Sequence, residues 1–277
     1  MIPFDFEYHR PDTIKEAADI FQNLDAAGKS PVYYGGGSEL ISMARVGNLS
    51  FGAVVDVKHI PECNVLDFDS ENLYLGSALT LSKITESGYF PLVGKTAGRI
   101  ADHTMQCKIT FGGNLASSII YREMVLPLLL TDARLRTAGL TGQKEYDIKQ
   151  IFQERLLLPK GEFLLRAAVH KSFLQLPYFH VKKTKNEKID YPLITAAGLK
   201  KDGVIRIAFS GLAAYPLRDA GVEAVLNDSA LSFEQRAQKI VSALSGIILN
   251  DLSGSAEYRK YVLKNTIINV LEVMKDK

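Results

Sequence analysis

The sequence predicts an α+β protein of more than one domain, on three observations: a βαβ opening that does not repeat, a mixed middle, and a run of strands followed by helices to the C-terminus. The chain has 277 residues, which at roughly 100 to 200 residues per domain points to two domains. Hydrophobic residues make up 47% and charged residues 23%, ordinary usage for a globular protein and not for a disordered or fibrous one. Lys and Arg number 33 against 31 acids, a net charge of +2, which makes no general case for nucleic acid or an anionic membrane as partner.

Each element follows from a local pattern. FDFEYH at 4–9 reads as an edge strand. Thr13 and Glu16 have capping-box spacing, and Ile14, Ala17, Ala18, Phe21 and Leu24 recur on one helical face, so a helix follows. Pro31–Tyr34 reads as a short buried strand, Glu39–Val46 as a short helix and AVVDV at 53–57 as another strand. NVLDF and NLYLG, joined by DSEN, read as a hairpin, and TLSKITES begins a helix with Thr80 or Ser82 as cap. A longer helix is predicted from Pro91, which suits a first helical position, to about Asp102. An apolar helix around 123–131 and strands at ARLRTA and GEFLLRAAV complete the middle. Strands at YFHVKKT, ITAAGLK and VIRIAFSGLAA follow, the last two joined by a KDG turn, then helices from about Leu217, at SFEQRAQKIVSALSG and from Ser255 to Met274. The texture changes near 168–175, which sets the domains at 1–170, with subdomains of about 1–53 and 54–170, and 171–277.

Residues 31–45, PVYYGGGSELISMAR, carry three consecutive glycines between a strand and a helix. One reading is a Rossmann fingerprint: Gly35 and Gly37 give G-x-G, and Asp56 lies where a ribose-binding acid would sit. Leu40 occupies the third glycine position and argues against it, because an isobutyl group would stand where the helix must approach its strand. Another reading is a turn with no ligand, since glycine simply permits φ > 0. A second glycine turn, TFGGN at 110–114, favours a third: two stretches of N–H groups clamping one pyrophosphate without lysines.

GGGSEL at 35–40, VVDVKHIPE at 54–62, LGSALTLSKI at 75–84, TFGGNLA at 110–116, GEFLL at 161–165 and DYPLITAA at 190–197 occur in the order of one family. The chain resembles the FAD-binding medium subunit of molybdenum hydroxylases, the xanthine dehydrogenase and carbon monoxide dehydrogenase family, over nearly its whole length. The resemblance implies a vanillyl-alcohol-oxidase-type (PCMH-like) FAD-binding domain of two subdomains, followed by an α+β domain of the CO dehydrogenase flavoprotein type. It implies that Tyr33, Tyr34, Gly35, Gly36, Gly37, Ser38, Glu39 and Leu40, with Thr110, Phe111, Gly112, Gly113 and Asn114, grip the FAD pyrophosphate. Ser38 and Asn114 would add side-chain hydrogen bonds, and Leu164, Lys183 and Tyr191 would lie at the flavin rings. The stretch LASSIIYRE departs from relatives: Ile119 and Ile120 replace polar residues, and Glu123, which the resemblance implies as a further cofactor-binding residue, takes the position of an Asp. HTMQCKITFGGN lacks the Arg-Asn pair usual there.

The implied function is electron relay, from a molybdenum cofactor on a large partner and 2Fe–2S clusters on a small partner, through FAD here, to NAD or another acceptor. Xanthine is the first expected substrate of the complex, with carbon monoxide, nicotinate and aldehydes as alternatives. Such chemistry belongs to the cofactor, so no acid–base pair or nucleophile is required of the chain. Two cysteines, Cys63 and Cys107, cannot hold two four-cysteine clusters. They read as reduced thiols in a cytoplasmic protein, Cys107 as a small buried filler. His59, His103, His170 and His180 lack triad or metal spacing and read as surface or satisfied histidines. KKTKNEK at 182–188 reads as a solvated loop, with Lys183 as the exception that could face flavin. The acidic start MIPFDFEYHRPDT is unlike a signal peptide, and MVLPLLL at 124–130 is too short to span a membrane. The competing readings are a flavin-free structural subunit and a stand-alone Rossmann NAD-dependent dehydrogenase.

Overall fold

The computed structural model describes residues 1–187 and 189–275; Lys188, at the end of KKTKNEK, lies outside the described residues. The chain forms two compact units, and they interleave: one comprises Met1–Ile84, His103–Ser117 and Asp132–Lys171, the other Thr85–Asp102, Ser118–Thr131 and Ser172–Lys277.

The first unit holds two main sheets. β1 (Glu7–His9), α1 (Ile14–Ala26), β2 (Pro31–Tyr34), α2 (Ser38–Arg45) and β3 (Ala53–Asp56) build a parallel sheet of order β1-β3-β2. Thr13 caps α1 by accepting from the Glu16 amide, and Ala17, Ala18, Phe21 and Leu24 are its buried face, as the helical spacing requires. β4 (Leu66–Phe68) and β5 (Asn72–Gly76) form the expected hairpin. They enter an antiparallel sheet of order β4-β5-β10-β6-β7 with β6 (Arg134–Gly139), β7 (Gly142–Asp147) and β10 (Phe163–His170). One apolar cluster, including Ala17, Phe21, Val55, Phe163 and Leu165, joins α1 to strands of both sheets. Shorter pieces complete the unit: α3 (Leu81–Ser87, running into the second unit), α5 (His103–Gln106), α6 (Phe111–Ala116), α8 (Ile148–Ile151) and the hairpin β8 (Phe152–Gln153) to β9 (Arg155–Leu156).

The second unit is an antiparallel sheet, β11 (Tyr178–Thr184), β12 (Pro192–Lys201) and β13 (Val204–Ser210), with helices. α7 (Val125–Leu130) contacts β12 and β13, and α4 (Pro91–Ala97) contacts β11. α9 (Ala220–Leu226), α10 (Phe233–Leu244) and α11 (Ala256–Lys275) supply the rest of an apolar core that includes Ile194, Phe209, Ile240, Leu263 and Ile267. The KDG hairpin forms as expected, Asp202 and Gly203 both taking positive φ, 51° and 79°, as a two-residue turn between antiparallel strands demands. α4 ends at Ala97 and not near Asp102, because Gly98 caps it and Ala101 turns to a φ of 51°. β13 stops at Ser210, since Gly211 takes a φ of 75°.

Candidate functional site

The site grows out of the end of β2. Alternation along the strand sends Tyr33 and Tyr34 to opposite faces. The Tyr33 ring lies between Phe21 and Phe163, centroids 4.6 Å away in each case, and its hydroxyl donates to the Gly161 carbonyl at 3.0 Å. Tyr34 sits beneath the Lys58 ammonium, 4.5 Å from its ring centre. For the three glycines beyond Tyr34 the chain offers only backbone. Gly37 is the N-cap of α2 with a φ of 71°, and no side chain caps that helix. The amides of its first turn have no acceptor within the helix, and the helix dipole makes that end positive. Leu40 turns aside into an apolar cluster with Ala44, Phe51 and Val54, filling the space a dinucleotide-binding glycine would leave open.

TFGGN is not a free turn. Phe111–Ala116 is the short helix α6, with Thr110 as its side-chain cap. Residues 77–81 run alongside and hold it: Gly112 N donates to Ser77 O at 2.8 Å, Phe111 N to Leu79 O at 2.8 Å, and Leu81 N to Ile109 O at 3.0 Å. A Cβ on Gly112 would lie 2.6 Å from that of Ser77. LGSALTL is therefore the physical support of the second glycine stretch.

Thr110 joins the two stretches. Its Oγ1 accepts from Gly36 N at 3.3 Å and from Gly113 N at 3.2 Å. A Cβ on Gly35 would come within 2.6 Å of the same oxygen, and one on Gly36 would overlap the Lys108 carbonyl. Two backbones stripped of side chains thus touch beside the uncapped start of α2. That arrangement fits a pyrophosphate, whose oxygens accept hydrogen bonds from main-chain amides.

A second support holds the first stretch from behind. Lys58 Nζ donates to the Gly35 carbonyl at 2.9 Å and to Asp56 Oδ2 at 2.6 Å. Tyr8 donates to the same Oδ2 at 2.6 Å, and Lys58 N to Oδ1 at 3.0 Å. The hydrogen bond to Asp56 pushes the Tyr8 phenol up to about 12. With both oxygens engaged, Asp56 is the polar end of a strand and not a ribose ligand. Lys58 escaped the sequence reading; the available signal was a cation two residues after an acid at a strand end.

Ser38 and Glu39 open α2 and are half-buried. Asn114 is half-buried on α6, and its amide donates to Thr110 O at 2.9 Å. Leu164 is buried in β10 beside a bulge. Glu123, Lys183 and Tyr191 belong to the second unit. Glu123 is buried; its Oε1 accepts from Thr195 Oγ1 at 2.6 Å and its Oε2 from Lys182 Nζ at 3.2 Å. Burial raises its pKa, opposed by the Lys182 charge. Lys182 also donates to Arg99 O at 2.7 Å. Lys183 is exposed, whereas the Lys182 side chain is buried. Tyr191 is exposed and stacks on Tyr121, centroids 4.5 Å apart.

Three expectations are corrected. KKTKNEK is not simply a solvated loop: its first three residues, 182–184, end β11, and the Lys182 side chain is buried against Glu123. Cys107 is exposed, its Sγ 3.8 Å from His103 Nε2, and only Cys63 is a buried filler. His180 is neither superficial nor satisfied: its Nε2 is buried without a hydrogen-bond partner among the described residues. Burial, with Arg99, Lys182 and Lys95 nearby, pushes its pKa down from 6.5 to about 4. The unfolded chain takes up this proton below about 6.5 and the folded chain resists until about 4, so stability falls as pH drops through that window, by about 2–3 kcal/mol. Urea unfolding of wild type and His180→Leu from pH 7 to 4.5 checks this; the variant should lose that part of the slope.

Among the described residues no group of three His, Cys, Asp or Glu side chains could hold a metal ion, and no helix is long and apolar enough to cross a membrane. The family described as FAD binding domain in molybdopterin dehydrogenase matches residues 4–169, and that described as CO dehydrogenase flavoprotein C-terminal domain matches residues 180–274. The chain is 24% identical over 288 residues to the 6-hydroxypseudooxynicotine dehydrogenase complex subunit alpha of Paenarthrobacter nicotinovorans, covering 98% of this chain and 95% of that one. It is 24% identical over 274 residues to the xanthine dehydrogenase FAD-binding subunit of Escherichia coli O157:H7, covering 92% and 89%. Among solved structures it is similar to a chain of the carbon monoxide dehydrogenase of Hydrogenophaga pseudoflava, with a TM-score of 0.87, 23% identity, and coverage of 99% and 98%. That fold, with its antiparallel sheet of order β4-β5-β10-β6-β7, is not the doubly wound Rossmann fold.

Proposed function

We propose, since the chain belongs to the family of FAD-binding domains in molybdopterin dehydrogenases, that it is the electron-transfer subunit of a xanthine dehydrogenase-type complex with NAD as acceptor. The observation that carries the flavin reading is the Thr110 hydroxyl receiving one amide from each glycine stretch. The likeness to a xanthine dehydrogenase FAD-binding subunit supports the purine assignment.

In this reading the backbone of residues 33–40 and 110–114 holds the FAD pyrophosphate, with Ser38 and Asn114 adding side-chain hydrogen bonds. Leu164 lies at the flavin rings, whereas Glu123, expected as a further cofactor-binding residue, has its carboxylate oxygens taken by Thr195 and Lys182 and anchors the strand that carries Lys183. Residues 1–170 form the FAD-binding domain and 171–277 the C-terminal one. Bound FAD supplies the capacity to collect two electrons and release them to an acceptor. The chain's own contribution is to bind and orient. A large partner bears the molybdenum cofactor and a small partner the 2Fe–2S clusters, in the cytoplasm.

Lys58→Met should weaken FAD binding by about tenfold, the effect of one lost charge-assisted hydrogen bond, with Lys58→Arg in between. Fluorescence titration of FAD into the purified chain measures this. The complex is tested by co-purification of the partner subunits and by following flavin bleaching on addition of substrate. Bleaching by hypoxanthine or xanthine supports the proposal; bleaching only by carbon monoxide or another heteroaromatic reassigns the substrate.

A further inference from the structure

We propose that a groove in the second unit, walled by α4 and β11, is a binding site for an organic phosphate monoester of mononucleotide size. Two cavities, of about 620 Å³ and about 330 Å³, share Lys95 and Tyr178 as walls. Their sizes fall in the range of small-molecule sites, roughly 300–1,000 Å³, and such sites combine apolar walls with a few placed polar groups. Leu176, Val270 and Val273 supply the apolar wall of the larger cavity, with Asn269 and His180 as polar members. Arg99 lines the smaller one.

The charge in this region is unbalanced. Among the described residues neither Lys95 nor Arg99 forms an ion pair, and Arg99 Nε is buried with no acceptor. The nearby acid, Glu123, is already taken by Lys182 and Thr195. His180 Nε2 is a second buried nitrogen without a partner among the described residues. A half-buried guanidinium with no ion-pair partner of its own demands an anion, and phosphate matches its fork geometry while an ammonium adds charge without directional constraint. The apolar wall then favours a phosphate carried on an organic body over the bare ion.

The test is calorimetric titration of AMP, adenosine and inorganic phosphate into the FAD-saturated protein at low salt, so that AMP cannot enter a flavin site. AMP is expected to bind saturably and at least about tenfold more tightly than adenosine or phosphate. Lys95→Gln with Arg99→Gln should weaken AMP by about tenfold or more and leave FAD uptake unchanged. Lys95→Gln alone, at an exposed position, should weaken it about threefold and keeps the test open if the double variant melts early. Absence of saturable AMP binding, AMP no tighter than phosphate or adenosine, or variants that bind AMP as wild type does would each overturn the proposal. Protein that takes up no FAD is titrated as purified, with the same outcomes.

Discussion

Gly36→Ala is expected to lower FAD affinity by about 100-fold and to destabilise the chain by about 1–3 kcal/mol, the usual penalty for forcing an atom into filled space. The reason is local. A Cβ on Gly36 would overlap the Lys108 carbonyl, which belongs to the main chain and cannot rotate aside. Gly36 has no positive φ, so the constraint is space and not conformation. To admit a methyl group, the two glycine stretches must separate, and Thr110 Oγ1, now 3.3 Å from Gly36 N and 3.2 Å from Gly113 N, loses one of them. Gly246→Ala is the control, because a Cβ there meets nothing within 4 Å. FAD titration of both variants decides the matter; equal affinity for Gly36→Ala and wild type would mean that contact between the stretches does not make the site.

Glu123→Leu is the substitution with the largest expected effect on stability, about 3–5 kcal/mol, because it strands the Lys182 charge in the interior. Both side chains are buried, Lys182 at 2% and Glu123 at 4% exposure. With the carboxylate gone, Lys182 keeps among the described residues only its bond to the Arg99 carbonyl. Lys182→Met alone should cost a similar amount, since it leaves the acid beside Thr195 without its counter-charge. The double variant should recover most of the loss, because an apolar pair of similar volume replaces a buried ion pair at little net penalty. Urea denaturation of the two single variants and the double completes the cycle. Additive losses would show that the two groups do not depend on each other.

Much of the scaffold was legible in the sequence because it obeys local rules. Thr13 with Glu16, the period of α1, the KDG turn and the strand-helix-strand opening are all fixed by neighbours in the chain. The second glycine stretch was legible as a motif but not as a structure. Two glycines make FGGN a poor helix former, and α6 exists because residues 77–81 hold its start, a contact that no window of local sequence contains. The same limit explains β7: GQKEYD has no apolar alternation and is strand only because β6 pairs with it. The interleaving of 85–102 and 118–131 with the C-terminal residues is equally non-local.

Within the candidate site, the glycines could be read because their backbone freedom and lack of side chain are chemical properties of the residue. Lys58 could not be read, because its value lies in reaching the Gly35 carbonyl, 23 positions away. Lys182 and Lys183 differ by one position, and side chains on a strand alternate between faces. Which of the two is buried against Glu123 depends on the register of β11 with β12, set at Lys182↔Thr195 and Lys183↔Ile194.

The central claim, that two joined glycine stretches hold FAD, is tested most directly by the visible spectrum of the purified chain after incubation with FAD and gel filtration. Stoichiometric flavin absorbance is expected to be retained in wild type and lost in Gly36→Ala. Wild-type protein that carries no flavin and gains none on adding FAD would contradict it, and would leave the chain as a structural subunit.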